Sequence, residues 1–364
     1  MDQKLNNRQI AFTLFGAIVG YGVVGLPKDI ASIVGTEGWF FLLIAIVIAI
    51  IVACVLTYLG YIYENKTFYE YSQLLVGKSV TSVFMILYIV YFFLLFAMVV
   101  RISSEIIRLT MLIRTPVWAI SLLFFIVIYY AVSKGLPTIA GICEFYGMII
   151  IVFAIFIHTV MFTQGDLIHL RPFFHFEDLQ TYVKAGKEAI IPFLGMEVLV
   201  FIPICQENKK RIFQNVIGMI AFIGVLYIVV VESCLSVIGV DDIIHYEDAL
   251  IAAIRRVDVP YLEFLSRLDG LFLVAWIMAI FTTVALYAYG TVFCIQQRFP
   301  GNHSRRLPTV VITGAFVVSQ IPETMEEIEK VISYVGYLGM FVVLAIPMLL
   351  LIVVQVRKYV KKEK

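Results

Sequence analysis

Charge is scarce in this sequence. Lysine and arginine number 27 and aspartate and glutamate 26 among 364 residues, a formal balance of +1. A soluble protein keeps a charged, hydrated skin around its core, and so thin a skin could not cover a chain that is 62% hydrophobic. No polar stretch is long enough to form a separate soluble domain, so a water-exposed catalytic domain is excluded. The near-zero net charge argues against nucleic acid as a partner. Histidines are few and scattered, with no HxxxH or HExxH spacing. The five cysteines, Cys54, Cys143, Cys205, Cys234 and Cys294, fall in or at the ends of apolar runs, in neither a zinc nor a disulfide pattern. No metal, no cofactor and no enzymatic activity are therefore expected. The spelling GxGxxG does occur at 20–25 (GYGVVG), but it follows no strand and opens no βαβ unit. Nor does MDQKLNNRQ read as a cleavable signal, because the apolar run after it is too long and lacks a small-residue cleavage site.

What the sequence has instead is apolar runs along its whole length, each able to cross roughly 30 Å of hydrocarbon at about 1.5 Å per residue. Mean hydropathy is +0.97. The pattern predicts an all-α integral membrane protein embedded in a lipid bilayer, a single transmembrane domain of about ten helices. They are placed near 10–33, 38–61, 81–110, 116–133, 141–163, 188–206, 211–235, 262–290, 307–322 and 331–356. Basic segments such as NKKR (208–211) and VRKYVKKEK (356–364) sit directly beside spans, whereas acids such as Asp241, Asp242, Glu323 and Glu326 gather on the opposite side. The positive-inside rule then places both termini in the cytoplasm.

Ten spans divide into two halves of five, about 10–163 and 188–356, and an odd number per half makes the second run inverted. The first and sixth spans both carry helix-breaking residues, and the fourth and ninth are both short. The links before the third and eighth spans each hold an amphipathic stretch, TFYEYSQLLVG and HYEDALIAAIRRV. Interrupted segments at matching positions of two halves point to a binding site near the membrane midplane.

The first span reads FTLFGAIVGYGVVGLPKDI. Gly16, Gly20, Gly22 and Gly25 weaken a helix, and Pro27 removes a backbone donor. Unwound backbone in lipid is tolerated only where it lines a cavity or is covered by protein, and its freed amides and carbonyls could hold a small zwitterion. The alternative is that Gly16 and Gly20 form a small-residue packing face. The sixth span, AIIPFLGMEVLVFIPICQEN, is interrupted by Pro192, Gly195 and Pro203 and carries Glu197 near its middle. Glu197 could bind an ammonium, carry a proton or serve as a hydrogen-bonding group between helices. Arg101 and Glu105, four apart, share one helical face and can pair along a polar pathway. Thr283 and Tyr287 share a face of the eighth span, a wall for a polar ligand or a site of helix–helix hydrogen bonding. Tyr261, Glu263, Arg267 and Asp269 open that span as rim structure, and Glu144, His158 and Glu232 are expected at interfacial span ends.

LNNRQIAFTLFGAIVGYGVVGLPKDIA followed by Trp39, TFYEYSQLLVGK, Thr115–Pro116, PFLGMEVLVFIP and EFLSRLDGLFLVAWIMAIFTTVALYAYG stand in an order and spacing that resemble spore germination permeases. These are the membrane B-subunits of nutrient germinant receptors, within the amino acid–polyamine–organocation transporter superfamily. The resemblance runs from about residue 5 to 356. It departs from the family in KGLPTIAGICEFYG, which has no arginine near Glu144. The resemblance implies the five-plus-five inverted fold with the first and sixth helices broken. It also implies sensing of an amino acid-like germinant in the spore inner membrane, together with an A-subunit and a C-subunit lipoprotein. The ligand site it implies is Gly20, Tyr21, Gly22, Gly25, Gly195, Glu197, Leu199, Thr283 and Tyr287. Independently of the resemblance, Tyr21 beside Gly20 would narrow the pocket toward a small or flat ligand. Two other readings stand beside it: an amino acid or polyamine transporter of the same pocket, coupled to protons through Glu197 or Glu105, and a ligand-gated ion or water pathway lined by Arg101 and Glu105.

Overall fold

The computed structural model describes residues 5–20, 22–173, 185–186, 188–246, 248–257, 268–299 and 306–362. Tyr21, Tyr261, Glu263 and Arg267 lie outside the described residues. Among the described residues the regular elements are all helical, and seven helices are long and apolar enough to cross a membrane. These seven carry the second, third, fourth, fifth, seventh, eighth and tenth expected spans. The first, sixth and ninth are interrupted or short.

Helix α1 (Asn7–Ile18) starts at a reciprocal cap in which Asn6 accepts from the Gln9 amide and the Gln9 side chain accepts from Asn6. It stops at Val19–Gly20, and α2 (Gly22–Val34) resumes the path. The break lies upstream of Pro27, which the sequence singled out; Pro27 is accommodated inside α2. One lost backbone donor bends a membrane helix without ending it, because neighbours can satisfy the freed carbonyl.

α3 (Gly38–Ile62) leads to α4 (Phe68–Thr110), whose amphipathic start is capped by Thr67 and Glu70. Gly77, at φ +83°, turns that start away from the membrane-crossing remainder. α5 (Val117–Lys134) and α6 (Leu136–Gln164) follow, separated by Gly135 at φ +88°. The sixth segment has no continuous helix: tight 3-10 turns at Ile191–Phe193 and Met196–Phe201 flank Leu194–Gly195. Beyond it run α7 (Ile212–Ile238), the short amphipathic α8 (Ala249–Arg256), α9 (Leu268–Arg298), α10 (Leu307–Ser319), α11 (Met325–Met340) and α12 (Ile346–Lys362). A wide π turn at Phe341–Ala345 joins the last two, just ahead of Pro347, which cannot donate a helical bond.

α9 is the most buried of the long helices, packed against α4 and α6, while α7 packs along α3. α1 lies among α6, α7 and α9, and α11 covers α4. The outward faces of α5 and α6 carry exposed Leu123, Ile126, Val152 and Ile155, the surface lipid requires of a spanning helix.

Candidate functional site

The two interruptions meet. Gly195 takes φ +125°, open to glycine and strained for other residues, and a Cβ there would stand 2.8 Å from the carbonyl carbon and oxygen of Ala17. The end of α1 and the kink of the sixth segment therefore touch backbone to backbone. On the other side of α1, Gly16 and Gly20 press on α9. A Cβ on Gly16 would stand 3.1 Å from Thr282, and one on Gly20 would collide with Thr283. The packing role considered for this glycine pair is present, and the helix ends beside it.

Most of the unwound backbone groups are already satisfied by the protein. The Gly16 carbonyl accepts from the hydroxyls of Thr282 (3.2 Å) and Thr283 (2.7 Å). The Ile18 carbonyl accepts from the Gly20 amide (3.1 Å) and the Tyr227 hydroxyl (3.0 Å). Glu197 is fully buried; its Oε2 accepts from the Gly195 amide and its Oε1 from the Tyr91 hydroxyl, both at 2.7 Å. Such pairing is how a buried carboxyl group is tolerated at membrane depth. The first amides of α2 have no partner within their own helix and face this junction.

Beside the interruptions opens a cavity of about 330 Å³. α2 lines it with Gly22, Gly25, Lys28 and Asp29, and α4 with Leu95 and Val99. Ile191, Pro192 and Leu194 come from the sixth segment, Thr283 and Tyr287 from α9, and Glu329, Ile332 and Ser333 from α11. Its walls are mainly apolar, and charge of both signs is contributed by Lys28, Asp29, Glu188 and Glu329. Aromatic rings fill the space behind Tyr287: it stacks on Phe92 at 5.8 Å and meets Tyr91 edge-on at 6.4 Å, and Phe92 meets Phe201 at 6.0 Å.

Of the residues chosen from sequence, Gly22, Gly25, Thr283 and Tyr287 line this cavity. Gly20, Gly195, Glu197 and Leu199 are absent from its lining and lie buried in the layer that builds it. Glu197 holds the Tyr91 hydroxyl, and Tyr91 meets the lining residue Tyr287 edge-on. Arg101 and Glu105 stand beyond Val99 towards the end of α4. Arg101, largely buried, reaches Glu105 at 3.4 Å and the Pro322 carbonyl at 3.2 Å, and Glu105 also pairs with Arg108. This cluster fastens α4 to the loop before α11 and takes no part in the cavity lining.

Two expectations change. His158, expected at an interface, is buried, with Nδ1 2.8 Å from the Ser233 hydroxyl. Glu144 does have an arginine: Arg8 arrives from α1, its Nε 2.8 Å from the carboxylate. Sequence reasoning missed Tyr91 and Tyr227, as well as the lining residues Lys28, Asp29, Glu188 and Glu329. Tyr227 is the single tyrosine of its helix and Tyr91 one of four on α4, and only the fold shows what their hydroxyls meet.

A family model described as "Spore germination protein" matches residues 4–328. Spore germination protein YndE of Bacillus subtilis (strain 168) is 24% identical over 362 residues, 98% of this chain and 97% of its own length. Spore germination protein A2 of the same organism is 25% identical over 360 residues, covering 98% and 96%. Spore germination protein GerLB of Bacillus cereus is 23% identical over 362 residues, covering 98% and 96%. Among solved structures, the substrate-bound outward-open state of a sodium-coupled sialic acid symporter superposes with a TM-score of 0.69 over 93% of this chain and 78% of its own, at 12% identity. At that identity the likeness concerns the fold.

Proposed function

Because the chain belongs to the spore germination protein family, we propose that it is the germinant-sensing membrane subunit of a spore nutrient receptor. In this reading it sits in the spore inner membrane with both termini in the cytoplasm and works with an A-subunit and a C-subunit lipoprotein. The single observation that carries the reading is the cavity between the interrupted first and sixth segments. It suits a small amino acid-like ligand. The amino end of α2, with Gly22 and Gly25 in the lining, would take a carboxylate, since first-turn amides and the helix dipole favour an anion. Leu95, Val99 and Ile332 offer an apolar wall for a side chain, while Thr283 and Tyr287 close the far side. Glu197, Gly195, Gly20 and Leu199 act from behind by holding the interruptions in shape. Ligand binding then shifts the population between two conformations, which the partner subunits read.

The reading treats the chain as one transmembrane unit of two inverted halves, about 10–163 and 188–356, making ten membrane segments. Support comes from paired irregularities. The interruption at Val19–Gly20 matches that at Leu194–Gly195, the amphipathic start of α4 matches α8, and short α5 matches short α10.

The test is a germination assay on spores that depend on this chain, over a panel of L-amino acids. Tyr287→Phe and Ser333→Leu are expected to raise the half-effective concentration of the active amino acid by about tenfold or more, the scale of one lost hydrogen bond or an overfilled site. Leu109→Ala on the exposed face should leave it unchanged. Unaltered response in both cavity variants would defeat the proposal. So would accumulation of labelled amino acid by the purified protein in vesicles under a proton gradient, which would make it a transporter.

A further inference from the structure

One hydroxyl joins the two interruptions. Tyr227, on α7, is fully buried, with its ring edge-on to Phe193 at 5.4 Å. Its oxygen lies 3.0 Å from the carbonyl oxygen of Ile18, the last residue of α1, and 3.2 Å from that of Pro192, in the turn before Gly195. Ile18 and Pro192 also line the cavity. A phenol has a single proton to donate, so this one is shared between two carbonyls or alternates between them. Besides the Gly195–Ala17 packing, the other hydrogen bonds named at the site join different elements. Thr282 and Thr283 fasten α1 to α9, and Glu197 fastens the sixth segment to itself and to α4.

We propose that Tyr227 is the positioning residue that makes the two interruptions move as one unit, so that an occupant of the cavity acts on both segments through its hydroxyl. The proposal rests on the reading of the cavity as the germinant site, and extends it from binding to transmission. Hydrocarbon supplies no replacement donor, so on the protein side the two carbonyls share the Tyr227 hydroxyl, joined at Ile18 by the Gly20 amide. A ligand donor that reached the Pro192 carbonyl would release the Tyr227 proton wholly to Ile18, and the converse holds. Occupancy of the cavity is thereby converted into a change in how tightly α1 and the sixth segment are held together.

Hydrogen–deuterium exchange on the purified full-length protein in lipid nanodiscs tests this without any ligand. Tyr227→Phe keeps the ring and removes the hydroxyl. Exchange is expected to rise together in residues 15–20 and 190–200, by roughly tenfold for one net hydrogen bond, while the rest of α7 and α3 stay as protected as before. A rise in one segment alone, a rise confined to α7, or no rise at all would overturn the proposal. Should the variant fail to accumulate, the unmodified protein decides. Under conditions where opening limits exchange, one shared opening rate for the two segments supports the coupling, and separate rates refute it. Spores carrying Tyr227→Phe then separate the two layers. Paired exchange with a raised half-effective germinant concentration supports both. Paired exchange with an unchanged germination response keeps the coupling and removes the cavity from germinant sensing.

Discussion

Gly195 shows how much of the site rests on single atoms. Its positive φ and its contact with Ala17 leave no room for a side chain. Gly195→Ala should therefore destabilise the protein by about 2 kcal/mol or more, combining backbone strain with a steric clash. Gly218 on α7 has nothing within 4 Å of a Cβ, and alanine there should be neutral or stabilising by up to about 1 kcal/mol. Thermal unfolding of the two purified variants in detergent checks the contrast; equal melting temperatures would show that the interruptions do not meet as described. At this scale sequence reasoning reached Gly195 and Glu197, because a glycine between prolines and an acid in an apolar run are conspicuous. It did not find the partners. Tyr91 and Tyr227 are 106 residues before and 35 residues after the groups they serve, and no local spacing marks such a pairing.

Among the elements, the amphipathic start of α4 is held from a distance. Arg357 of α12 donates to the carbonyls of Leu74 and Leu75 at 2.8 and 2.9 Å, just before the Gly77 turn. A planar guanidinium fits two adjacent carbonyls as an ammonium does not. Arg357→Lys should thus speed backbone exchange in residues 68–77 nearly as much as Arg357→Ala, with the rest of α4 unaffected. Protection unchanged in the alanine variant would show that the contact does not hold the helix. The existence of that amphipathic stretch was legible from its alternation of apolar and polar residues, as was the shortness of α5 and α10. Of the helix breakers read in the first span, Pro27 is absorbed inside a helix, whereas the close approach of Gly20 to Thr283 and the capture of the Ile18 carbonyl fix where α1 ends. Those causes are tertiary, so the sequence could locate the break only to within a turn or two.

For the whole molecule, the scarcity of charge made the membrane class legible at once, and hydropathy located the seven continuous spans because lipid demands unbroken apolar helices there. An arrangement of those spans around a ligand came only from the resemblance, since hydropathy does not say which faces pack. The charge distribution carries a topological prediction. Lys210 and Glu326, both exposed, should lie on opposite sides of the membrane. In intact cells a membrane-impermeant maleimide is expected to label Glu326→Cys directly and Lys210→Cys only after permeabilisation. Direct labelling of Lys210→Cys alone would reverse the expected orientation, and direct labelling of both would refute the opposite-side placement.

The sixth segment also bears on how the chain is made. Built of short 3-10 turns, it exposes backbone groups that hydrocarbon cannot accommodate, so it is poorly suited to leave the translocation machinery alone. Its Glu197 needs Tyr91, synthesised earlier, but its Pro192 carbonyl needs Tyr227, which emerges later. Integration of the nascent segment is therefore expected to be complete only once α7 has followed it, and a chain truncated before Tyr227 is expected to hold this segment less firmly than the full chain.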